Sequence, residues 1–125
     1  MTEPIFDKVE QFEKVQGELL PGETIEAVFD LKGAQTGFLG ITSHRLVLYD
    51  KAFLRKIKAL VSIPYKSIIS VGAEDSSGLL TGRGFFSSSR LIVMTAHGEH
   101  DMEFRGVEKA HAAHGAIIGH VLGIY

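Results

Sequence analysis

The order of its periodic segments constrains the fold of this chain more than any other sequence feature. From Glu23 to Arg105, apolar and polar residues alternate in one short segment after another, and a single helical pattern follows. Alternation with a period of two places one set of side chains on the buried face of a strand, so each segment predicts a strand. Helical patterns do not separate the strands, which argues against parallel α/β folds. The order therefore predicts a small antiparallel barrel, or a bent pair of sheets, with one helix packed on it.

Seven strands are predicted from this alternation. The first shows the pattern clearly, since from Ile25 to Leu31 the odd positions are apolar and most even positions are polar. The predicted strands cover residues 25–31, 38–42, 45–49, 57–63, 65–73, 90–94 and 101–105. Between them we expect turns at 32–36, 50–55 and 97–100 and a long Gly-rich loop at 74–83.

The N-terminal segment has the period of a helix. Thr2 is the predicted cap, Pro4 suits the first turn, and Gly17 is the predicted stop. Apolar residues recur at spacings of three and four, at Ile5, Val9, Phe12 and Val15 or Leu19. We expect this narrow apolar stripe either to dock on the main body of the chain or to pack against a neighbouring subunit.

A second helical pattern ends the chain. Its main apolar stripe comprises Val107, Ala110, His114, Ile117, Ile118 and Val121, with Leu122 at the edge. A second stripe consists of the small residues Ala112, Gly115, Ala116, Gly119 and Gly123. Glycine is less favourable than alanine in a helix by about 1 kcal/mol, so either another backbone approaches these glycines closely or the helix end frays. Seven antiparallel strands closed by a C-terminal helix form the pleckstrin-homology architecture.

Composition limits the classes of function. The chain has 125 residues, a formal net charge of -2 and no cysteine. The lack of cysteine excludes disulfides, zinc–thiolate sites, iron–sulfur clusters and a cysteine nucleophile. The chain lacks both the excess of basic charge and the aromatic stacking platform that nucleic-acid binding requires. The N-terminus is unlike a signal peptide and residues 116–125 are about half the length of a membrane span, so we expect one cytoplasmic domain.

Four short phrases carry a resemblance to a known family. They are LPGE at 20–23, ITSHRLVLYD at 41–50, IPYKSI at 63–68 and FRG at 104–106. In this order they resemble the bacterial pleckstrin-homology-like family, with a helical extension at 1–18 and the domain at 19–125. The resemblance implies a non-enzymatic domain that assembles into symmetric rings through the edges of adjacent subunits and contacts other proteins. It supplies no ligand-binding motif, and the stretch 78–89 is longer and richer in Gly and Ser than the family pattern.

One turn carries the candidate interaction surface. Its residues are the cations Lys51, Arg55, Lys56 and Lys58, with the apolar residues Phe53 and Leu54 near the tip. Three interpretations remain open: a solvated hairpin whose charges guard an edge strand, a contact with an acidic protein groove, or a contact with an anionic membrane. Arg83 and Arg90 would join this surface if the fold brought them to the same face.

Other candidate sites are weaker. The turn at 32–37 holds one cation, too few for a phosphoinositide site of the usual kind. The spacing around Gly82-Arg83-Gly84 is not that of a phosphate-binding loop. His97 and His100 are three apart, as are His111 and His114, but no carboxylate stands at a metal-motif position beside them. A histidine near the core could still make assembly sensitive to pH.

The sequence therefore predicts an interaction module with no catalytic, cofactor-binding or metal-binding residues. We expect a homo-oligomer that contacts another protein and does not bind nucleic acid. The competing hypothesis is a peripheral binder of an anionic membrane or a phosphorylated ligand that uses the hairpin at 51–58. A zinc-dependent enzyme that uses the histidines is the third.

Overall fold

The fold is known from a computed structural model, which describes residues 3–32, 37–54, 57–75 and 88–124. The chain divides after Tyr65 into two compact units. The first unit contains a five-stranded sheet and an N-terminal helix, and the second contains a three-stranded sheet and the C-terminal helix. All seven predicted strands are present, and one short strand was not predicted.

The first unit is a meander with an added edge strand. Its elements are β1 (Ile5–Phe6), α1 (Val9–Gly17), β2 (Ile25–Asp30), β3 (Gly37–Thr42), β4 (Arg45–Leu54) and β5 (Ile57–Pro64). The strands lie in the order β1-β2-β3-β4-β5. The pairs from β2 to β5 are antiparallel, whereas β1 runs parallel to β2.

The N-terminal prediction was wrong in its first turn. Ile5 and Phe6 form β1 and the helix begins only at Val9, so Pro4 is not in a helical turn. The edge of β2 offers this segment backbone partners that compete with helix formation. The amide of Asp7 donates to the carbonyl of Val28 at 3.2 Å, and its carboxylate accepts the amide of Asp30 at 2.9 Å.

Helix α1 docks on its own chain, which is one of the two alternatives that the sequence left open. Val15 is buried and packs in one cluster with Val28 and Phe38. A Cβ at Gly40 would lie 3.1 Å from both methyl carbons of Val15, so the glycine permits the close approach of the helix. Gln11 Nε2 also donates to Asp30 Oδ1 at 2.8 Å.

Strand β4 is longer than predicted. It continues through residues 50–54, which were predicted to form a turn, and pairs with β5 from Arg45 opposite Pro64 to Asp50 opposite Ala59. An irregularity follows before Leu54 pairs with Ile57. The core of this unit takes residues from both faces of the meander, and Leu39, Ile41, Leu46 and Val47 are fully buried.

The second unit begins with a turn. Residues Tyr65–Ser67 form a 3-10 turn at the boundary, so the predicted strand 65–73 starts only at Ile68. The sheet comprises β6 (Ile68–Asp75), β7 (Ser88–Thr95) and β8 (Gly98–Arg105), all antiparallel, and α2 (Lys109–Val121) follows. The start of α2 is tied to β7, because Ser89 Oγ accepts the amide of Ala110 at 2.9 Å and donates to the carbonyl of Gly106 at 2.7 Å.

The C-terminal helix packs on all three strands of this sheet. Its buried stripe is Ala110, Ala113, Ile117 and Gly119, whereas Leu122 is exposed. Gly123 follows the helix at φ +75°. Its amide donates to the carbonyl of His120, and the next amide donates to that of Gly119, which is the Schellman pattern. This glycine therefore caps the helix, which accounts for one member of the small-residue stripe.

Neither α1 nor α2 has the length and continuous apolar character that crossing a bilayer requires, in the part of the chain that the structure describes.

Candidate functional site

A buried ion pair lies at one end of the five-stranded sheet. Glu23 precedes β2 and Arg45 opens β4, and because both strands are antiparallel to β3 their starts lie at the same end. Arg45 Nε lies 2.8 Å from Glu23 Oε2, and Nη2 lies 3.0 Å from Oε1. The Glu23 side chain is 0% exposed and that of Arg45 is 16% exposed. The two groups form a bidentate pair largely removed from water.

The remaining polar atoms of this pair are also hydrogen-bonded. Arg45 Nη1 donates to Ser62 Oγ at 2.7 Å, and Nη2 donates to the carbonyl of Glu18 at 2.8 Å. The Glu23 carboxylate accepts the amide of Leu20 at 2.9 Å and the hydroxyl of Thr42 at 2.6 Å. The ion pair thus joins the end of α1, the connection to β2, the β3–β4 turn and β5.

Tyr65 completes the group that we call the Glu23 cluster, which comprises Glu23, Thr42, Arg45, Ser62 and Tyr65. The Tyr65 hydroxyl donates to the carbonyl of Thr42 at 2.6 Å. Thr42 Oγ1 accepts the amides of His44 at 3.1 Å and Arg45 at 3.0 Å, which braces the turn.

The electrostatics of the cluster favour the charged pair. Hydrogen bonds from Arg45 lower the pKa of Glu23 from 4.5 to about 2, against the opposing effect of burial. The same hydrogen bond raises the pKa of Arg45. Burial raises the pKa of Tyr65. Each ion is therefore neutralised by its partner, and the cluster acts as a structural clamp.

The cluster explains why the sequence phrases occur together. Glu23, Arg45 and Tyr65 come from three of the four phrases that resemble the bacterial family. The sequence analysis missed the pair, because no local spacing links positions so far apart. The predicted meander did contain a signal. Glu23 precedes one strand and Arg45 opens the next strand of the same direction, so the meander places them at the same end of the sheet.

Arg90, a predicted surface cation, lies on β7 among acidic partners. Its Nε donates to Asp101 Oδ1 at 2.8 Å, its Nη2 pairs with Asp101 Oδ2, and its Nη1 lies 3.3 Å from Glu74 Oε1. Hydrogen bonds between them raise the pKa of Arg90 and lower that of Asp101. Two carboxylates therefore lie beside the single positive charge of Arg90.

The other predicted surface residues are placed only in part. Lys51, Phe53 and Leu54 belong to the distal part of β4 and Lys58 belongs to β5. Their side chains lie outside the described part of the structure, as do Arg55, Lys56 and Arg83 altogether.

The four histidines of the two predicted pairs are spread over the second unit. His97 lies in the β7–β8 turn, His100 in β8, and His111 and His114 in α2. Across the described ranges, no three side chains of the metal-binding types come together in a way that could hold an ion.

Three exposed apolar residues lie in the outer strand of the first sheet and at the start of α1. Ile5, Phe6 and Val9 are 63%, 42% and 54% exposed, and we call these three residues the apolar edge. The ring of Phe6 also contacts that of Phe12, with centroids 4.8 Å apart. Strand β1 pairs with β2 on one side and forms the end of the sheet order on the other.

Comparison with known proteins finds one curated relative of undetermined function. No protein-family model matches the chain. Over 92 residues the chain is 29% identical to the uncharacterized protein YozO of Bacillus subtilis (strain 168), an alignment that covers 73% of this chain and 72% of that protein.

Solved structures define the fold. A pleckstrin homology domain from Shewanella amazonensis SB2B aligns with a TM-score of 0.65 at 23% identity, covering 94% of this chain and 100% of that one. A DUF1696 family protein with a pleckstrin-homology domain, from Shewanella loihica PV-4, aligns with a TM-score of 0.63 at 16% identity, covering 92% and 93%. The chain therefore has the pleckstrin-homology fold of these bacterial domains, and the predicted fold class is confirmed.

Proposed function

We propose that this chain is a non-enzymatic interaction module of the pleckstrin-homology fold, which assembles into a homo-oligomer and contacts other proteins in that form. The apolar edge carries the proposal. Its three large apolar side chains are each more than two-fifths exposed and lie on or beside the outer strand of a sheet. An exposed sheet edge is a template for pairing with another chain.

The free energy of burying the apolar edge is large enough to support association. Burying an exposed large apolar side chain contributes on the order of 1–2 kcal/mol when the side chain starts about half exposed. Ile5, Phe6 and Val9 together therefore contribute a few kcal/mol to each contact, before any backbone pairing of β1. A symmetric assembly repeats that contact in every subunit.

The Glu23 cluster supports the non-enzymatic part of the proposal. Its buried carboxylate, Glu23, and its buried hydroxyl, Thr42, are both hydrogen-bonded, and the charges of Glu23 and Arg45 match each other. A general acid or base needs a pKa near the working pH, whereas Arg45 holds the pKa of Glu23 at about 2.

The mass of the protein in solution tests the assembly. Native mass spectrometry and sedimentation at micromolar concentration should give a multiple of 13.6 kDa. Replacing Ile5 and Val9 by serine should lower that mass. The matched control is Ile69→Ser, which removes an equally exposed apolar side chain from β6 in the second unit and should leave the mass unchanged. A wild-type protein that stays at 13.6 kDa throughout would overturn the proposal.

The cations between Lys51 and Lys58 favour a second candidate, the binding of an anionic surface. Residues 51–58 contain four cations and no acid. In this case the protein should float with vesicles that contain phosphatidylserine, and Arg55→Glu with Lys56→Glu should abolish flotation while assembly persists. A protein that stays with the soluble fraction at low salt would exclude this candidate.

A further inference from the structure

We propose that the outer face of the second sheet binds a basic, amphipathic helix of a partner protein. The inference rests on the proposed function, since it names a surface through which the interaction module contacts another protein. This surface lies in a different unit of the chain from the apolar edge, so it does not require assembly. Three features of the face carry the inference: an apolar patch, an acidic rim and the width of the sheet.

The two faces of the β6–β7–β8 sheet differ in burial. On one face, Leu91 and Val93 of β7 are fully buried beside Met102 and Phe104 of β8. The residues between them point to the other side, because side chains alternate along a strand. We call that side the outer face. It comprises the even positions 70–74 and 90–94 and the odd positions 99–103.

An apolar patch lies at one end of the outer face. Ile69 is 66% exposed whereas Ile68 is buried, and the register of β6 shifts here, which places Ile69 in a β-bulge. Ile92 and Met94 of β7 are partly exposed beside it. Gly72 pairs with Ile92, and a Cβ added to this glycine would meet no atom within 4 Å. The patch is therefore a shallow trough, open along β6 and bounded by the apolar side chains of β7.

Carboxylates surround this trough. They are Glu74 at the far end of β6 and Glu99, Asp101 and Glu103 along β8. Together with Arg90 they give the outer face four carboxylates and one guanidinium, a net charge of 1 − 4 = −3. Arg105, the next outward residue of β8, still leaves an excess of negative charge. The face therefore repels anionic lipids and nucleic acids, and it is complementary to a protein segment that combines apolar side chains with cations.

The dimensions of the outer face fit a helix. Neighbouring strands lie about 4.8 Å apart, so the three strands span about 10 Å, which is about the diameter of a helix. Successive outward carboxylates of β8 lie about 6.8 Å apart, close to the rise of about 6 Å between positions i and i+4 of a helix. A helix that lies along β7 can thus place its apolar side on Ile92 and Met94 and a row of cations over β8.

The acidic residues of β8 have one competing role. Strand β8 lies at one end of the sheet order, and charged side chains on such a strand protect it from pairing with other chains. That role requires neither the apolar trough nor an affinity for a helix. The contribution of Ile69 to binding therefore distinguishes the two roles.

A peptide of defined chemistry tests the face. The probe is a helical peptide of leucine and lysine in a heptad pattern, with leucine on one side and lysine on the other. Titrated into the isotopically labelled full chain, it should shift the amide resonances of Gly72, Ile92 and Met94 and leave those of α1 unchanged. The same peptide with glutamate in place of lysine should bind at least about tenfold more weakly. This mapping uses the wild type, so it does not depend on the folding of any variant.

One pair of variants tests the apolar patch. Ile69→Ser should weaken binding of the leucine–lysine peptide about fivefold or more, because the helix no longer covers a large aliphatic side chain. The matched control is Ile5→Ser, which makes the same change at an equally exposed position of the first unit and should leave the affinity unchanged.

A second pair tests the acidic rim. Glu99→Gln with Glu103→Gln should weaken binding about fivefold or more at low salt, since two charge pairs are lost. The control is Glu10→Gln with Glu13→Gln, which removes two exposed charges from α1 and should bind as the wild type does.

The outcomes separate this contact from the proposed assembly. The contact is overturned if the peptide does not bind, if it shifts α1 instead of the second sheet, or if test and control variants lose equal affinity. A wild type that stays at the monomer mass and still binds the peptide at Gly72 and Ile92 would overturn the assembly and leave the contact standing.

Discussion

The Glu23–Arg45 pair makes the sharpest prediction about stability. Arg45→Met keeps an unbranched side chain of similar length but removes the hydrogen bonds to Glu23, Ser62 and the carbonyl of Glu18. It also leaves a carboxylate that is 0% exposed without its counter-ion. Removing one partner of a buried pair costs about 3–5 kcal/mol, so we expect a loss of about 3 kcal/mol in the free energy of unfolding at neutral pH.

The acid titration gives an independent route to the same magnitude. The pKa of Glu23 falls from 4.5 to about 2 on folding, which corresponds to about 3 kcal/mol of stability. Because the pKa is lower in the folded state, this contribution is complete above about pH 4.5 and is lost as the pH falls towards 2. Glu23→Gln should be less stable at neutral pH and should lose less stability than the wild type between pH 4.5 and 2.

Urea unfolding followed by far-ultraviolet circular dichroism measures both effects. The matched control is Asp101→Asn, which breaks the pair with Arg90 on an exposed face, where side chains are 46% and 36% exposed. Solvent screens exposed pairs, so this variant should lose much less stability than Arg45→Met. The reasoning is refuted if the two variants lose equal stability, or if Glu23→Gln keeps the acid slope of the wild type.

Three further predictions concern packing and caps, each measured as the free energy of unfolding. Gly40→Ala should destabilise the wild type more than it destabilises Val15→Ala, since its new Cβ would lie 3.1 Å from the Val15 methyl carbons; equal costs in both backgrounds would contradict this contact. Ser89→Ala should cost about 1–3 kcal/mol and speed hydrogen exchange at Ala110, whose buried amide loses its acceptor; unchanged exchange would exclude the cap. Gly123→Ala should cost about 1 kcal/mol because φ there is +75°, and a neutral result would argue against the Schellman ending.

Alternation predicted the strands, even though consecutive residues are buried in β2 and β3. It failed where partners distant in sequence decide the conformation. Ile5 fits the predicted helical stripe, yet Ile5 and Phe6 pair with the edge of β2 as β1. Residues 50–54 look like a turn by composition, yet β4 continues through them, with Asp50 paired to Ala59 and Leu54 paired to Ile57 of β5 on either side of an irregularity.

The two candidate surfaces and the Glu23 cluster differ in how far the sequence reveals them. The cations at 51–58 are visible as a local charge cluster, so the sequence alone identifies them. The Glu23 cluster needs the topology, since only the meander brings Glu23 to Arg45. The apolar edge was hidden by the predicted helix, in which Ile5 and Val9 belonged to a stripe expected to be buried.

The clamp and the apolar edge belong to one arrangement. Arg45 holds the carbonyl of Glu18 at the end of α1, while Val15 seats the helix over Gly40. Residues 3–18 are therefore fixed at three points. Arg45 of the buried ion pair holds their C-terminal end, the buried side chain of Val15 holds their middle, and the pairing of β1 with β2 holds their N-terminal part. A segment held at three points cannot turn Ile5, Phe6 and Val9 inward without breaking those contacts. Their exposure is thus a property of the fold. Because folding already orders these residues, a partner that covers them would lose little further conformational entropy in ordering them.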